Sequence, residues 1–124
     1  MAIPILKQGP YLIASMQSEV GDADLVRLRE DLAWQVGDVR ARGLVVDVTT
    51  IDVMDSFTIR TLLEVVQIGK LRGVDAVIVG IQPEVAFAMV QLGLRLDGVA
   101  TALDLEEGLA LLERQMGGGA DDVR

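Results

Sequence analysis

The residues best suited to chemistry in this chain are a serine and its acidic neighbours, at a point where a short apolar run gives way to a helical pattern. Asp55, Ser56 and Thr58 occupy this point. A hydroxyl at a helix start can bond the free first-turn N–H groups, and a phosphate on it would lie at the positive end of the helix dipole. Ser56 is therefore the leading candidate for a phosphorylated switch residue, and Thr58 is the second choice. Ser56 or Asp55 also suits the role of a plain helix cap, which is compatible with modification of Ser56.

A metal site is the alternative interpretation of the same acidic residues. Asp47, Asp52 and Asp55 could supply the oxygen ligands that magnesium or calcium prefers. Their spacing does not match a calcium-binding loop, and the glycines at 117–119 follow a helical pattern without the lysine of a phosphate loop. We therefore expect no metal site and no cofactor.

The segment around the serine is also more apolar than a solvated loop requires. Such residues either fill the core or form the rim of a protein contact. We predict a partner-binding surface next to the serine, made of Asp52, Met54, Asp55, Phe57 and Arg60. A phosphate there would add about −1.5 to −2 charges beside two aspartates and would weaken docking of a partner by like-charge repulsion.

Composition excludes many other functions. The 124 residues include no cysteine and no histidine, so disulfides, the usual zinc sites, Ser-His-Asp chemistry and cysteine nucleophiles are excluded. With 19 acidic and 11 basic residues, the formal charge of −8 repels phosphate backbones and argues against a nucleic-acid partner. No basic leader and no apolar run near the roughly 18 residues of a membrane span is visible. We expect a soluble, cytoplasmic protein that is not an enzyme and has no membrane partner.

Hydrophobic periodicity and turn residues predict the elements that position the serine. Gly43 is expected to end the first helix in a left-handed conformation, as Gly73 and Gly93 end the next two. Arg60 and Glu64 are expected to form a surface pair one turn apart. The predicted strands are 3–6, 11–16, 44–48, 74–81 and 99–103, and the predicted helices are 24–42, 57–71, a short one opened by Pro83, and a last one from the Asp104 cap to about Met116.

This order predicts one α/β domain over residues 1–116, with a mixed β-sheet, an opening antiparallel hairpin and four helices packed against the sheet. Residues 117–124 have neither apolar content nor periodicity, and we expect them to form a flexible C-terminal tail.

The run from Val45 to Arg60 resembles the core of STAS domains, the family named for sulphate transporters and anti-sigma factor antagonists. Within that family, Asp55-Ser56-Phe57 with Arg60, residues 79–85 and residues 98–103 resemble the small RsbS-like scaffold proteins of bacterial stressosomes. Many antagonists carry a small residue, often glycine, two places after the phosphorylated serine. Thr58 stands there in this chain, which fits the stressosome branch better.

The resemblance implies a non-enzymatic phospho-switch and scaffold in a stress-signalling complex. It implies that an RsbT-like switch serine kinase is sequestered by the chain and phosphorylates Ser56, after which the kinase is released. It also implies a homo- or hetero-oligomer with RsbR-like STAS paralogues. The alternative is a free anti-sigma factor antagonist that binds an anti-sigma kinase while unphosphorylated.

Overall fold

A five-stranded sheet with the strand order β1-β2-β3-β4-β5 organises the chain. The computed structural model describes residues 3–17, 20–38, 40–93 and 98–122. The strands are β1 (Ile5–Gln8), β2 (Tyr11–Ser15), β3 (Gly43–Asp47), β4 (Asp75–Val79) and β5 (Ala100–Ala102). The helices are α1 (Asp22–Asp38), α2 (Ser56–Leu71), α3 (Pro83–Gln91) and α4 (Leu105–Asp122). The predicted mixed sheet with four helices is confirmed.

Strand pairing places every helix start at the same end of the sheet, where the parallel strands have their carboxyl ends. β1 and β2 form the predicted antiparallel hairpin, whereas β2, β3, β4 and β5 pair in parallel. Each parallel strand is followed by a helix, so α1, α2, α3 and α4 all begin where the parallel strands end. Open α/β sheets place their functional residues in the loops at this end.

The core lies on both faces of the sheet. The larger cluster joins the inner faces of α1, α2 and α3 to alternate strand residues, and Leu25, Leu28 and Leu32 of α1 are among its buried members. The other face is covered by α4, whose Leu112 packs with Val45, Val77 and Val79. This arrangement explains why β3 and β4 are nearly continuous apolar runs, because both of their faces are buried.

The end of the first helix differs from its prediction. α1 ends at Asp38, and Gly43 is the first residue of β3 rather than a helix terminus. The left-handed backbone after α1 belongs to Arg40, with φ 51°. Gly43 is small because of packing, since a Cβ there would lie 2.7 Å from Cδ1 of Tyr11.

The last helix is longer than the sequence pattern indicated. α4 continues to Asp122, so the prediction that it ends near Met116 is wrong. Glycine lowers helix propensity by about 1 kcal/mol without forbidding helical φ and ψ, and a helix already formed upstream adds one hydrogen bond for each further residue. Flexibility of the 117–124 tail stays a prediction, and Val123 and Arg124 lie outside the described residues.

Several large apolar side chains remain on the surface. Trp34 on α1 is 74% exposed, and it is the single tryptophan of the chain. Leu71 at the end of α2 and Leu103 after β5 are also largely exposed. None of the helices in the described part of the chain is long and apolar enough to cross a bilayer.

Candidate functional site

The junction between β3 and α2 is held by a local hydrogen-bond network. Asp47 is the last residue of β3, and its Oδ1 accepts from the backbone N–H of Thr49 at 2.9 Å and from the Thr49 hydroxyl at 2.6 Å. The Thr50 hydroxyl donates to the carbonyl oxygen of Met16 at 2.9 Å. The two threonines therefore satisfy the turn backbone, and the acidic interruption of the apolar strand is explained by its position at the strand end.

Two residues outside the junction position it, and sequence reasoning did not single them out for this role. Gly80, with φ 79°, lies so close to Thr49 that a Cβ on it would collide with the threonine side chain. The amide Nε2 of Gln82 donates to the carbonyl oxygen of Thr49. A glycine directly after the buried strand β4 was the available signal, because such glycines often mark a close backbone approach.

Asp55 is the cap of α2. Its backbone is extended, with φ −85° and ψ 173°, and its Oδ1 accepts from the backbone N–H of Thr58 at 2.8 Å. The pKa of the Asp55 carboxyl lies below its usual value. The hydrogen bond from this N–H lowers it most, and the Thr58 hydroxyl lowers it further. Of the two capping candidates, the structure therefore selects Asp55.

Ser56 is the first residue of α2 and is partly exposed. Among the described residues, its hydroxyl has no hydrogen-bond partner. The hydroxyl of Thr58 differs, because it helps to lower the pKa of the Asp55 carboxyl. The leading candidate for modification thus presents a free oxygen, and the second choice is engaged in the cap.

The predicted partner-binding residues divide into a surface set and a buried one. Asp52, Asp55 and Arg60 are exposed, and Phe57 is 38% exposed. Met54 is only 7% exposed and packs in the core, so the structure does not support its predicted contact with a partner, which stays an untested prediction. Within the loop some residues enter the core and others meet solvent, and composition alone does not reveal which.

Val53 takes the surface position that was assigned to Met54. It is 81% exposed, whereas Ile51 is buried like Met54. We call Asp52, Val53, Asp55, Phe57 and Arg60 the serine-flanking surface. It combines two apolar side chains with two carboxylates and one guanidinium.

The expected surface pair on α2 is replaced by a contact between helices. The Glu64 Oε1 accepts from the Arg29 Nη1 of α1 at 2.9 Å, so the predicted pairing with Arg60 is wrong. Arg29 reaches Glu64 because α1 and α2 pack side by side. Arg60 is left with no ion pair to another described residue.

Metal ligation has no geometric basis in the part of the chain that the structure describes. No three acidic side chains there converge to hold an ion.

Comparison with known proteins gives the family. The model of the STAS domain matches residues 2–107. The chain belongs to the STAS-domain family. Two curated relatives from Bacillus subtilis (strain 168) are the RsbT co-antagonist proteins RsbRC, 30% identical, and RsbRD, 31% identical, each over 94 residues and 73% of this chain. The chain spans about a third of their length, 33% and 34% respectively.

Solved structures resemble the chain over nearly its whole length. A serine-to-glutamate variant of RsbS from Moorella thermoacetica has a TM-score of 0.82 and 35% identity, covering 92% of this chain and 97% of that one. A chain from a study of the molecular architecture of the stressosome, a signal integration and transduction hub, has a TM-score of 0.81 and 35% identity, covering 91% and 98%. The anti-sigma factor antagonist SpoIIAA in its unphosphorylated form shares the fold alone, with a TM-score of 0.67 and 12% identity over 94% and 99%.

Proposed function

We propose that this STAS domain is a non-enzymatic phospho-switch and scaffold of a stressosome-type complex in the cytoplasm. In its unphosphorylated form it sequesters an RsbT-like serine kinase, and phosphorylation of Ser56 by that kinase releases it. It co-assembles with RsbR-like STAS paralogues. The likeness to RsbS and to a stressosome chain supports the scaffold role, and the relatives named RsbT co-antagonists support the partner classes.

One observation carries the proposal: the free, partly exposed hydroxyl of Ser56 next to a cap that does not use it. Because Asp55 already satisfies the N–H of Thr58, α2 does not need the serine oxygen to begin. A kinase can therefore modify Ser56 without unmaking the start of the helix. Thr58 lacks this freedom, since its hydroxyl supports the Asp55 carboxylate.

Electrostatics explain how a phosphate would change binding without changing the fold. The positive end of the α2 dipole favours an anion by about 0.3–1 kcal/mol, so the helix tolerates the modification. The serine-flanking surface already carries Asp52 and Asp55, and the new charge makes it strongly negative. A partner that docks with acidic groups at this surface would then be repelled, and one that docks with apolar side chains would have to desolvate the phosphate.

Arg60 has a role in this switch. It lies four residues after Ser56 on α2, the spacing at which helical side chains meet, and it has no ion pair to another described residue. A phosphate on Ser56 would attract its guanidinium through charge-assisted hydrogen bonds. We expect Arg60 to contact the partner before phosphorylation and to turn to the phosphate afterwards.

Kinase labelling tests the switch. The chain is incubated with ATP and the switch-type serine kinase of the same organism, and the product is mapped by mass spectrometry. We expect one phosphate on Ser56, none in Ser56→Ala, and unchanged labelling in Thr58→Val, which keeps the capping N–H. A phosphate that appears on Thr58 and never on Ser56 contradicts the proposal.

Kinase retention is measured separately by biolayer interferometry. Ser56→Asp should release the kinase at least about tenfold more readily, which corresponds to about 1.4 kcal/mol. Ser56→Asn, of similar size but neutral, is the matched control and should retain it. Equal binding by both variants would show that charge at this position does not control docking.

Light scattering tests the scaffold role. The chain is mixed with an RsbR-like paralogue and separated by size, with each protein alone as control. We expect a large mixed particle. A chain that stays a monomer or dimer in every mixture would favour the free anti-sigma factor antagonist.

A further inference from the structure

An apolar groove runs along the edge of the sheet beside β5, apart from the serine-flanking surface. It has a volume of about 490 Å³ and is open to solvent. Its walls include Ala86, Met89 and Val90 of α3, with Thr101, Leu103 and Glu107 on the β5 side. Val90 and Leu103 are 78% and 81% exposed, so two large apolar side chains at this edge meet solvent.

The backbone of β5 offers hydrogen-bonding groups to the same groove. The carbonyl oxygen of Ala102 accepts from the N–H of Gly80, which follows β4, so the polar backbone groups of Ala102 point toward β4. Because these groups alternate along a strand, the N–H and C=O of Thr101 point the other way. In the sheet formed by the described strands, β5 is an edge, and Thr101 therefore presents a donor and an acceptor beside the groove.

The charges around the groove indicate what kind of chain fits it. Residues 81–93 and 98–107 contain four acidic side chains and no lysine or arginine. The acidic residues are Glu84, Asp104, Glu106 and Glu107, of which Glu107 lines the groove while the others lie at the starts of α3 and α4. We call these four residues the acidic rim. A second copy of this chain, with its formal charge of −8, would meet like charge at this rim. A segment with basic side chains is complementary to it.

We propose that this edge accepts an extended segment of another protein, with apolar and basic residues alternating, as an added strand beside β5. Alternate side chains of an added strand face opposite sides, so the apolar ones enter the groove against Val90 and Leu103. The basic ones then face the side of the sheet covered by α4, whose first turn is acidic. β5 has only three residues, so backbone pairing supplies few hydrogen bonds and the groove supplies the rest of the affinity. The contact is small and reversible.

A peptide titration tests the proposal on the whole chain. The probe is a capped seven-residue peptide of alternating lysine and valine, added to ¹⁵N-labelled protein and followed by NMR. We expect shifts confined to α3, β5 and the start of α4. A peptide with serine in place of valine should bind at least about fivefold more weakly, because it buries no apolar surface. Equal binding of the two peptides would show that only charge attraction holds the peptide, and it would overturn the proposal.

Two variants, each with its own control, test the strand pairing and the apolar contact. Thr101→Pro removes the outward N–H, which an edge strand tolerates, and should weaken binding about two- to tenfold, the value of one net hydrogen bond. Thr101→Val keeps the N–H and is its control. Leu103→Gln should also weaken binding, whereas Leu71→Gln, at a leucine of similar exposure on the end of α2, should not.

Amide hydrogen exchange is a second test of strand pairing, and it uses the wild-type protein. Pairing should slow exchange of the Thr101 N–H when the peptide is bound. Binding that leaves this exchange unchanged would indicate a helix in the groove and overturn strand pairing. Self-association that Leu103→Gln abolishes, without peptide binding, would assign the edge to a second copy and also overturn it.

Discussion

Two helices of this domain begin with the same capping arrangement and differ in the charge of their first turns. Asp55 caps α2 through the N–H of Thr58 at 2.8 Å, and Asp104 caps α4 through the N–H of Glu107 at 2.8 Å. The first turn of α4 contains Glu106 and Glu107, whereas that of α2 contains no acidic residue.

The contrast separates the structural part of the site from the functional part. Both helices are capped in this way, so a cap alone does not mark a helix start as a phosphorylation switch. At α4 two carboxylates already offset the positive charge of the helix N-terminus, so a further anion would be attracted only weakly. At α2 the first turn holds a hydroxyl where α4 holds a leucine, and the helix end is still able to favour a phosphate.

The largest expected effect comes from the glycine that holds the α2 junction in place. Gly80→Ala should lower the free energy of unfolding by about 2–4 kcal/mol, because the left-handed φ of 79° disfavours a side chain and the new methyl would meet Thr49. Urea denaturation measures the loss. Gly73→Ala, with φ 80° and no atom within 4 Å of the new Cβ, is the matched control.

The control should lose only the conformational part, about 1–2 kcal/mol. On the α4 side, Gly108→Ala brings a Cβ to 2.5 Å from Cγ1 of Val79 but gains up to about 1 kcal/mol of helix propensity. We therefore expect Gly80→Ala to be the most damaging of the three. Equal losses for Gly80→Ala and Gly73→Ala would show that Thr49 moves aside freely.

Removal of the two caps should have the next largest effect. Asp55→Ala and Asp104→Ala should each lower the free energy of unfolding by about 0.5–2 kcal/mol. The loss should be greater for Asp55, because no other carboxylate in the first turn of α2 offsets the dipole. A greater loss for Asp104 in urea denaturation would contradict this account of the contrast.

Acid should weaken the stabilising effect of the Asp55 cap. The folded pKa of Asp55 lies below its ordinary value of 3.8, so the unfolded chain takes up its proton first as the pH falls. The stability from Asp55 is complete above that value and is lost as the pH drops through the folded pKa. The difference between wild type and Asp55→Ala should therefore shrink from about pH 6 to about pH 2. Asp55→Asn, which keeps the cap without the charge, should show a weaker pH dependence.

The smallest expected effect concerns Ser56 and Arg60. Ser56→Asp should change the free energy of unfolding by less than about 1 kcal/mol. A double-mutant cycle with Arg60→Gln should give a favourable coupling of about 0.3–0.5 kcal/mol, typical of a helical pair four residues apart. Zero coupling at low salt would mean that Arg60 does not respond to an anion at position 56.

Local signals predicted the elements that flank the site. Gly73 and Gly93 have positive φ after α2 and α3, as expected from their positions at the ends of helical patterns. Pro83 opens α3, where a missing N–H is harmless. These features depend only on residues that are close in sequence, and they can therefore be predicted from the sequence.

The features that could not be predicted depend on contacts between distant segments. Glu64 pairs with Arg29 because α1 lies beside α2, and Gly43 is small because Tyr11 is its neighbour across the sheet. Asp55 and Ser56 are both good caps, and only the backbone geometry selects between them. The burial of Met54 results from the course of the loop, which its composition does not determine.

Trp34 gives the protein its own optical reporter. As the single tryptophan, standing in water on the outer side of α1, it should fluoresce at long wavelength when the domain is alone. A neighbour that covers α1 during assembly would shift this emission to the blue, and a protein that touches only the start of α2 would leave it unchanged. The colour of one indole can thus distinguish which flank of the domain has been occupied.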